Sequence, residues 1–168
     1  RQESLVILYD ADVVPHPDPI LFDEDNWRRK GAVRGEAAGR GSALFLDTPF
    51  GAAVLRRYLR GGWPAKVSRD RYLFNGWERS RPLDEFRILA DLATHGFPVP
   101  DPLAAMTLRS GPFYTGALLT RRIPGAQTLD KFCRAPDLLP LENVVEVLLK
   151  CALAFDYAHG KGVVHRDV

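Results

Sequence analysis

The chain has 168 residues, enough for one ordinary domain or for one lobe and part of another. With 46% hydrophobic and 26% charged residues it has the composition of an ordered globular protein, and a net charge of +2 is too small to indicate nucleic-acid binding. The longest apolar run, residues 144–155, is interrupted by Glu146 and Lys150, so no membrane-spanning helix is predicted.

The cysteines indicate the redox compartment of the chain, and its two ends indicate whether it is part of a longer protein. Cys133 and Cys151 do not make a disulfide framework, which fits a reducing compartment. The chain begins at Arg1 rather than at methionine, and it ends at Val168 directly after a motif. We therefore expect a fragment of a longer protein.

The first half of the chain is predicted to form strands. Residues 5–9 read as a short strand, and Asp23 or Asp25 could cap a brief helix that ends at Gly31. Three strands of a small antiparallel sheet follow at 32–38, 42–47 and 52–58, with a glycine turn between the first two.

A helix is predicted after this meander, from Ser80 as its N-cap and a proline in its first turn to Gly96. Glu85 is placed in the first turn, just off the apolar stripe. It could cross to the sheet and pair with Arg56, or it could remain a solvated acid favoured by the helix dipole. A hairpin of strands at 103–109 and 113–120 then completes five strands.

The remainder of the chain is predicted to be helical. Residues 121–125 leave the sheet as an extended connector, 128–134 form a short helix and 141–159 a long one. A β-branched run and then His165, Arg166 and Asp167 close the chain.

The order of these parts is that of a kinase. Gly39 and Gly41 lack side chains, so backbone N–H groups around Arg40 could approach a phosphate chain closely, and Arg56 stands where the usual lysine ends the third strand. Taken by itself, this segment is more simply explained as an ordinary hairpin whose glycines satisfy turn geometry. His-Arg-Asp after a long helix is the start of a catalytic loop, in which Asp167 would accept the proton of the attacking hydroxyl.

We therefore predict an α+β, protein-kinase-like fold. Its N-lobe (1–120) would be a five-stranded antiparallel sheet with an αC-type helix, joined by a hinge (121–127) to the first helices of a truncated helical C-lobe (128–168). The backbone of Arg121 and Ile123 in the hinge would bind the adenine edge of ATP. The asparagine and second aspartate that hold Mg²⁺ in this fold would lie beyond Val168, so no metal site is expected within the chain, and the chain alone should be inactive.

The stretch from Arg56 to Arg81 has a composition of its own. It carries eight basic residues against Asp70 and Glu78, a net charge of +6, with Trp63, Tyr72, Phe74 and Trp77 interleaved. Such a stretch suits an anionic membrane surface or a phosphorylated lipid. The alternatives are a solvated loop whose aromatics pack on the sheet, and RNA. No nucleic-acid-binding module accompanies the stretch, so no nucleic-acid partner is predicted.

Short strings of residues along the chain match one known family. They are Phe22-Asp23 with Trp27, Gly39-Arg40-Gly41, Val54-Leu55-Arg56-Arg57-Tyr58 with Arg60-Gly61-Gly62, Asp70-Arg71-Tyr72 with Gly76, Glu78-Arg79, Glu85-Phe86-Arg87, Gly96-Phe97-Pro98-Val99-Pro100 with Pro102, and Leu118-Leu119-Thr120 to Ile123-Pro124-Gly125-Ala126. Through these strings the sequence resembles the 3-deoxy-D-manno-octulosonic acid (Kdo) kinase family over roughly residues 5–130. The resemblance implies a protein-kinase-like fold and ATP-dependent phosphorylation of the 4-hydroxyl of Kdo on a lipid A precursor. It also implies a cytoplasmic protein, peripheral on the inner membrane of a Gram-negative bacterium.

The match to that family weakens from about Leu141, where the chain reads more like a protein Ser/Thr kinase. The family loop is usually H-x-D-L-N, whereas this chain has His165-Arg166-Asp167 and then valine. The alternatives are thus a protein Ser/Thr kinase, or a catalytically dead kinase-like scaffold that binds a partner or a membrane through the basic stretch.

Overall fold

The computed structural model describes residues 3–37, 43–58, 71–126 and 141–160. The predicted glycine turn with Gly39, Arg40 and Gly41, the short helix at 128–134 and the loop with Asp167 lie outside the described residues. The chain divides into two compact units, Arg1–Ile123 and Pro124–Val168. The functional assignment of the lobes and hinge stays a prediction.

Among the described residues, the first unit combines strands with two helices, and the second has one helix. Single-turn 3₁₀ segments at Pro19–Phe22 and Trp77–Arg79 precede the first two helices. The elements are β1 (Glu3–Tyr9), α1 (Glu24–Arg29), β2 (Val33–Ala37), β3 (Ala43–Thr48), β4 (Gly51–Arg57), β5 (Tyr72–Leu73), α2 (Arg81–Thr94), β6 (Pro102–Ser110), β7 (Phe113–Arg121) and α3 (Leu141–Gly160).

Within the described residues the sheet has seven strands, so the predicted count of five is wrong. Its order is β1-β6-β7-β4-β3-β2, with β5 paired to the start of β7, and every pairing is antiparallel. The prediction left β1 out of the sheet, whereas it lies along the edge of β6, from Glu3 opposite Ser110 to Tyr9 opposite Ala104. That pairing satisfies backbone groups that an exposed edge would leave open.

The two faces of the sheet are covered by different parts of the chain. On one, here called the Trp27 face, Leu55 and Leu119 lie in a core that is covered by Phe22 and Trp27 from the segment before β2. On the other, here called the α2 face, Leu118 packs against Leu83 of α2. Successive residues of a strand point to opposite faces, so Arg56 and Arg57 are directed to different layers.

Helix α1 begins where Asp23 caps it. The Asp23 carboxylate accepts hydrogen bonds from the backbone N–H groups of Asp25 and Asn26, at 2.9 and 3.1 Å. Of the two predicted caps, the structure therefore selects Asp23. The cap fixes the first turn of α1, and Trp27, directly after it, donates from Nε1 to the Leu21 carbonyl at 2.8 Å.

Helix α2 begins after Ser80 as predicted, but the serine side chain does not cap it. Its buried hydroxyl donates instead to the Trp77 carbonyl at 2.8 Å and accepts from Thr107 at 3.2 Å. The acid in the first turn is Asp84, and Glu85 lies one residue later than the first-turn position predicted for it. The hydroxyl thus ties the start of α2 to β6.

The first turn of α2 lies directly on β7. A Cβ atom added to Gly116 would stand 2.3 Å from Pro82 Cγ and 2.8 Å from the Met106 carbonyl oxygen, closer than side-chain carbons approach. Only glycine therefore allows this approach. It sets the height of α2 above the sheet and, with it, the position of Glu85.

Helix α3 of the second unit matches the long helix predicted at 141–159. Its side chains Val145, Leu148, Leu149 and Leu153 are exposed. No helix among the described residues is long and apolar enough to cross a membrane.

Candidate functional site

The candidate site lies on the α2 face, where β4 passes beneath the helix. Arg56 stands opposite Leu118 of β7, and its side chain reaches across to α2. Its Nη2 donates to Oε1 of Glu85 in a salt bridge between strand and helix. The predicted contact is confirmed, and it joins residues that are 29 positions apart in the chain.

Tyr58 completes a closed triangle with this pair. Two residues after Arg56, it points to the same face, and its hydroxyl donates to Oε2 of Glu85 while accepting from Arg56 Nη2 at 3.1 Å. The guanidinium also lies over the phenol ring, 5.0 Å from its centre. The sequence analysis did not single out Tyr58. The two-residue period of a strand was the signal that could have found it.

Arg56 and Tyr58 keep their protonation states over the working pH range. Burial alone would lower the pKa of Arg56, but the neighbouring Tyr58 and Glu85 outweigh it and raise that pKa above its ordinary value. Burial and the nearby Glu85 carboxylate raise the pKa of Tyr58. Arg56 therefore stays a cation, and Tyr58 stays a protonated donor.

Arg56 also retains donors for a ligand. Both of its hydrogen bonds to described residues are made by Nη2, so among those residues Nη1 and Nε have no acceptor. Guanidinium groups bind phosphate oxygens through such a fork of donors, and they do so at any working pH. The site can thus present a fixed cation to a phosphate group.

Beside Arg56 the same face carries a half-buried strip. Phe45 on β3, Val54 on β4 and Thr120 on β7 stand in register, two residues along β4 from Arg56. The Arg122 guanidinium lies over the Phe45 ring, 4.8 Å from its centre. The sequence analysis missed this strip, which offers an apolar surface next to a cation.

Arg121 and Ile123, the predicted hinge residues, have different surroundings from each other. The Arg121 side chain follows the strand alternation to the Trp27 face, where Nε lies 3.3 Å from Oδ2 of Asp101 and Nη1 donates to the Phe50 carbonyl at 3.4 Å. Its backbone N–H donates to the Asp101 carbonyl at 2.8 Å. Ile123, just beyond the strand, is 46% exposed and makes no backbone hydrogen bond to a described residue.

The described residues do not include the rest of the predicted site. Gly39, Arg40, Gly41 and Asp167 all lie outside them. Within residues 3–37, 43–58, 71–126 and 141–160, no group of three or more His, Cys, Asp or Glu side chains could hold a metal ion.

The described part of the basic stretch packs partly on the sheet. Tyr72 is buried and stacks on Tyr114 with ring centres 5.4 Å apart, and the Arg81 guanidinium lies 5.1 Å above the Tyr72 ring. Arg109 covers Phe74 in the same way at 4.5 Å, whereas Leu73 is 57% exposed. The aromatics thus serve as supports on which cations are displayed.

An antiparallel sheet with a strand cation paired to a helix glutamate resembles the small lobe of protein kinases, in which that cation is a lysine. Sequence comparison makes this assignment specific. A model of the Lipopolysaccharide kinase (Kdo/WaaP) family matches residues 24–168, and the chain belongs to that family.

Individual relatives agree with the family match. Proteins named 3-deoxy-D-manno-octulosonic acid kinase from Stenotrophomonas maltophilia strain R551-3 and Vibrio parahaemolyticus serotype O3:K6 are 46% and 40% identical to the chain, over 163 and 168 residues. These alignments cover 96% and 100% of this chain, and 62% and 68% of the relatives. A relative of the same name from Xanthomonas euvesicatoria pv. vesicatoria is 46% identical over 73% of this chain and 49% of its own length. No solved structure matches.

Proposed function

We propose that the whole protein is an ATP-dependent kinase that phosphorylates the 4-hydroxyl of Kdo on a lipid A precursor, a step of lipopolysaccharide inner-core synthesis. The observation that carries this proposal is the Arg56–Glu85 ion pair on the α2 face, in a chain that belongs to the lipopolysaccharide kinase family. The chain spans 62% of the length of the first relatives it matches, so the complete activity is a proposal about the longer protein.

Each site residue then has a role. Arg56 binds ATP phosphates, and Glu85 holds Arg56 from α2, which acts as the αC-type helix. The backbone around Gly39, Arg40 and Gly41 covers the phosphates. The half-buried strip beside Arg56 receives the base, and the hinge backbone at Arg121 and Ile123 binds its edge.

The reacting end of the site is assigned to Asp167. Its carboxylate accepts the proton of the Kdo hydroxyl and orients it in line with the γ-phosphate. Mg²⁺ would neutralise phosphate charge when bound. The described residues have no group of three or more His, Cys, Asp or Glu side chains for it, and we propose that its ligands lie outside them.

We assign the basic stretch to a surface of the protein that faces the membrane. Arg81 and Arg109 are held over the aromatic rings of Tyr72 and Phe74, and a lipid A precursor is an anionic molecule in a membrane. We place the protein on the cytoplasmic surface of the inner membrane, with this surface toward the lipid. Co-sedimentation with vesicles of anionic and of zwitterionic lipid tests the placement. Equal binding to both would contradict it.

The decisive experiment measures phosphate transfer from labelled ATP by the full-length protein. Kdo-bearing lipid A precursor should be labelled, and a generic protein acceptor should not. Label on the protein acceptor alone would favour a protein Ser/Thr kinase, and label on neither would favour a scaffold. In the active protein, Asp167→Asn should abolish turnover and leave ATP binding nearly intact. Retention of most turnover would remove Asp167 from its role.

A further inference from the structure

We propose that Tyr58 is a positioning residue, which keeps Arg56 bound to Glu85 through one amino group so that the remaining guanidinium donors are available to phosphate. The proposal rests on the proposed function, because it assigns a role within the same nucleotide site. The proposed role belongs to the Tyr58 hydroxyl, and it can be tested separately from the role of the ion pair between Arg56 and Glu85.

The ion pair needs a third partner because it is open to water. The side chains of Arg56 and Glu85 are 44% and 37% exposed, and ion pairs at such exposure hold their geometry weakly. Tyr58 is anchored better than either. Its ring packs against the cluster of Leu83, Ala105 and Leu118, and its backbone N–H donates to the Gly116 carbonyl at 3.0 Å.

The hydroxyl determines which atoms of the pair meet. Glu85 has two carboxylate oxygens, and Tyr58 donates to Oε2 while Arg56 donates to Oε1. An arginine facing a carboxylate with both oxygens open prefers two parallel hydrogen bonds, which would use a second donor of the guanidinium. Because Tyr58 donates to Oε2 and also accepts from Nη2, it favours the one-point pairing, which leaves Nη1 and Nε without an acceptor among the described residues.

The stacked ring fixes the remaining freedom of Arg56. The guanidinium lies over the phenol ring at 5.0 Å and donates to its hydroxyl at 3.1 Å, so one side chain restrains both its tilt and its reach. Phenylalanine would keep the stacking and lose both hydrogen bonds. The two contributions can therefore be separated by a single substitution.

The test compares Tyr58→Phe with Tyr9→Phe in the full-length protein. Tyr9 is a half-exposed tyrosine on β1, so its substitution controls for the loss of a hydroxyl. Tyr58→Phe should raise the KM for ATP by about fivefold to tenfold, the typical net effect of one hydrogen bond. Its kcat should stay within about twofold and its melting temperature within about 2 °C, because the ring and the ion pair remain.

A double-mutant cycle with Glu85→Gln supplies the second readout. If Tyr58 acts through Glu85, then Tyr58→Phe should change the KM by less than about twofold when Glu85→Gln is already present. Additive effects in the cycle would overturn the proposal. So would an unchanged KM in an active Tyr58→Phe enzyme, or a fall in melting temperature large enough to make the change structural. If the unmodified protein neither binds ATP nor transfers phosphate, the proposed function fails first and this inference falls with it.

Discussion

The two faces of the sheet use neighbouring residues of one strand for different purposes. Arg56 points to the α2 face, where it meets Glu85 and Tyr58. Arg57 points to the Trp27 face, where it borders a cavity of ≈ 490 Å³ between Leu5 and Phe22. Two arginines that are equivalent in a composition count therefore have different surroundings. Strand alternation alone separates the candidate phosphate cation from its neighbour.

The coverings of the two faces differ as well. The Trp27 face is closed by apolar side chains from a short segment near the N-terminus, whereas the α2 face carries polar groups that α2 must bring into register. Changes on the first face should therefore reduce stability alone. Changes on the second should also alter ligand binding.

The largest expected effect is on the Trp27 face. Trp27 is 3% exposed, so Trp27→Ala should lower the free energy of unfolding by about 3–5 kcal/mol, through lost burial and the cavity left behind. Chemical denaturation measures the loss. Among the molecules that stay folded, the KM for ATP should be unchanged. A KM shift as large as that of an Arg56 variant would mean that the two faces are not independent.

Gly116→Ala should have the next largest effect, now through α2. The added methyl meets Pro82 and the Met106 carbonyl, and overpacking of this kind costs about 1–3 kcal/mol. Because α2 must move away from β7, the KM for ATP should rise as well. Gly160→Ala is the matched control, since an added methyl there meets nothing within 4 Å. Equal stability of the two variants would show that the first turn of α2 can move away from β7 at no cost in free energy.

The paired arginines give the sharpest form of the comparison. Arg56→Ala should weaken ATP binding by about tenfold, or roughly 1.4 kcal/mol, because the cation that binds phosphate is lost. Arg57→Ala removes the same charge from the other face and should change the affinity by less than about twofold. Titration calorimetry on the full-length variants measures both. Similar losses would show that only the total charge matters.

The smallest effect is a pH dependence that resides in Tyr58. Its folded pKa is raised above the ordinary value of 10.0, so its contribution to stability is complete below pH 10.0 and declines above it, as the unfolded chain releases the proton. Phenolate absorbance should therefore be the same for Tyr58→Phe and the unmodified protein until the chain unfolds. An earlier difference between their titration curves would mean that the hydroxyl faces water.

Local patterns predicted the contact between Arg56 and Glu85 better than they predicted the sheet. Arg56 and Glu85 were recognisable because each is a charged residue next to a periodic apolar pattern. Arg56 ends an apolar strand, and Glu85 lies just beside the apolar face of a helix. The addition of β1 to the sheet depends on contacts about a hundred residues apart, which no local pattern encodes. The two residues of β5 are too few to show a period.

Side-chain direction was the other limit of the sequence. Ser80 stands at the N-cap position, but Thr107 on the neighbouring strand offers its hydroxyl a buried partner, and the cap bond is not made. Arg121 was predicted to bind through its backbone, and the sequence did not show that Asp101 and Phe50 hold its side chain on the other face. Both outcomes depend on tertiary neighbours.

The contact of Pro82 with Gly116 lies close to the site residue of α2 and far from the C-terminal end of that helix. Glu85 is three residues from the contact, about 4.5 Å along the axis, whereas Thr94 at the far end is about 18 Å away. A tilt of about 10° around Pro82 would carry Thr94 about 3 Å but the backbone of Glu85 less than about 1 Å. A tilt that displaces the C-terminal end of α2 would thus change the position of Glu85 relative to Arg56 very little.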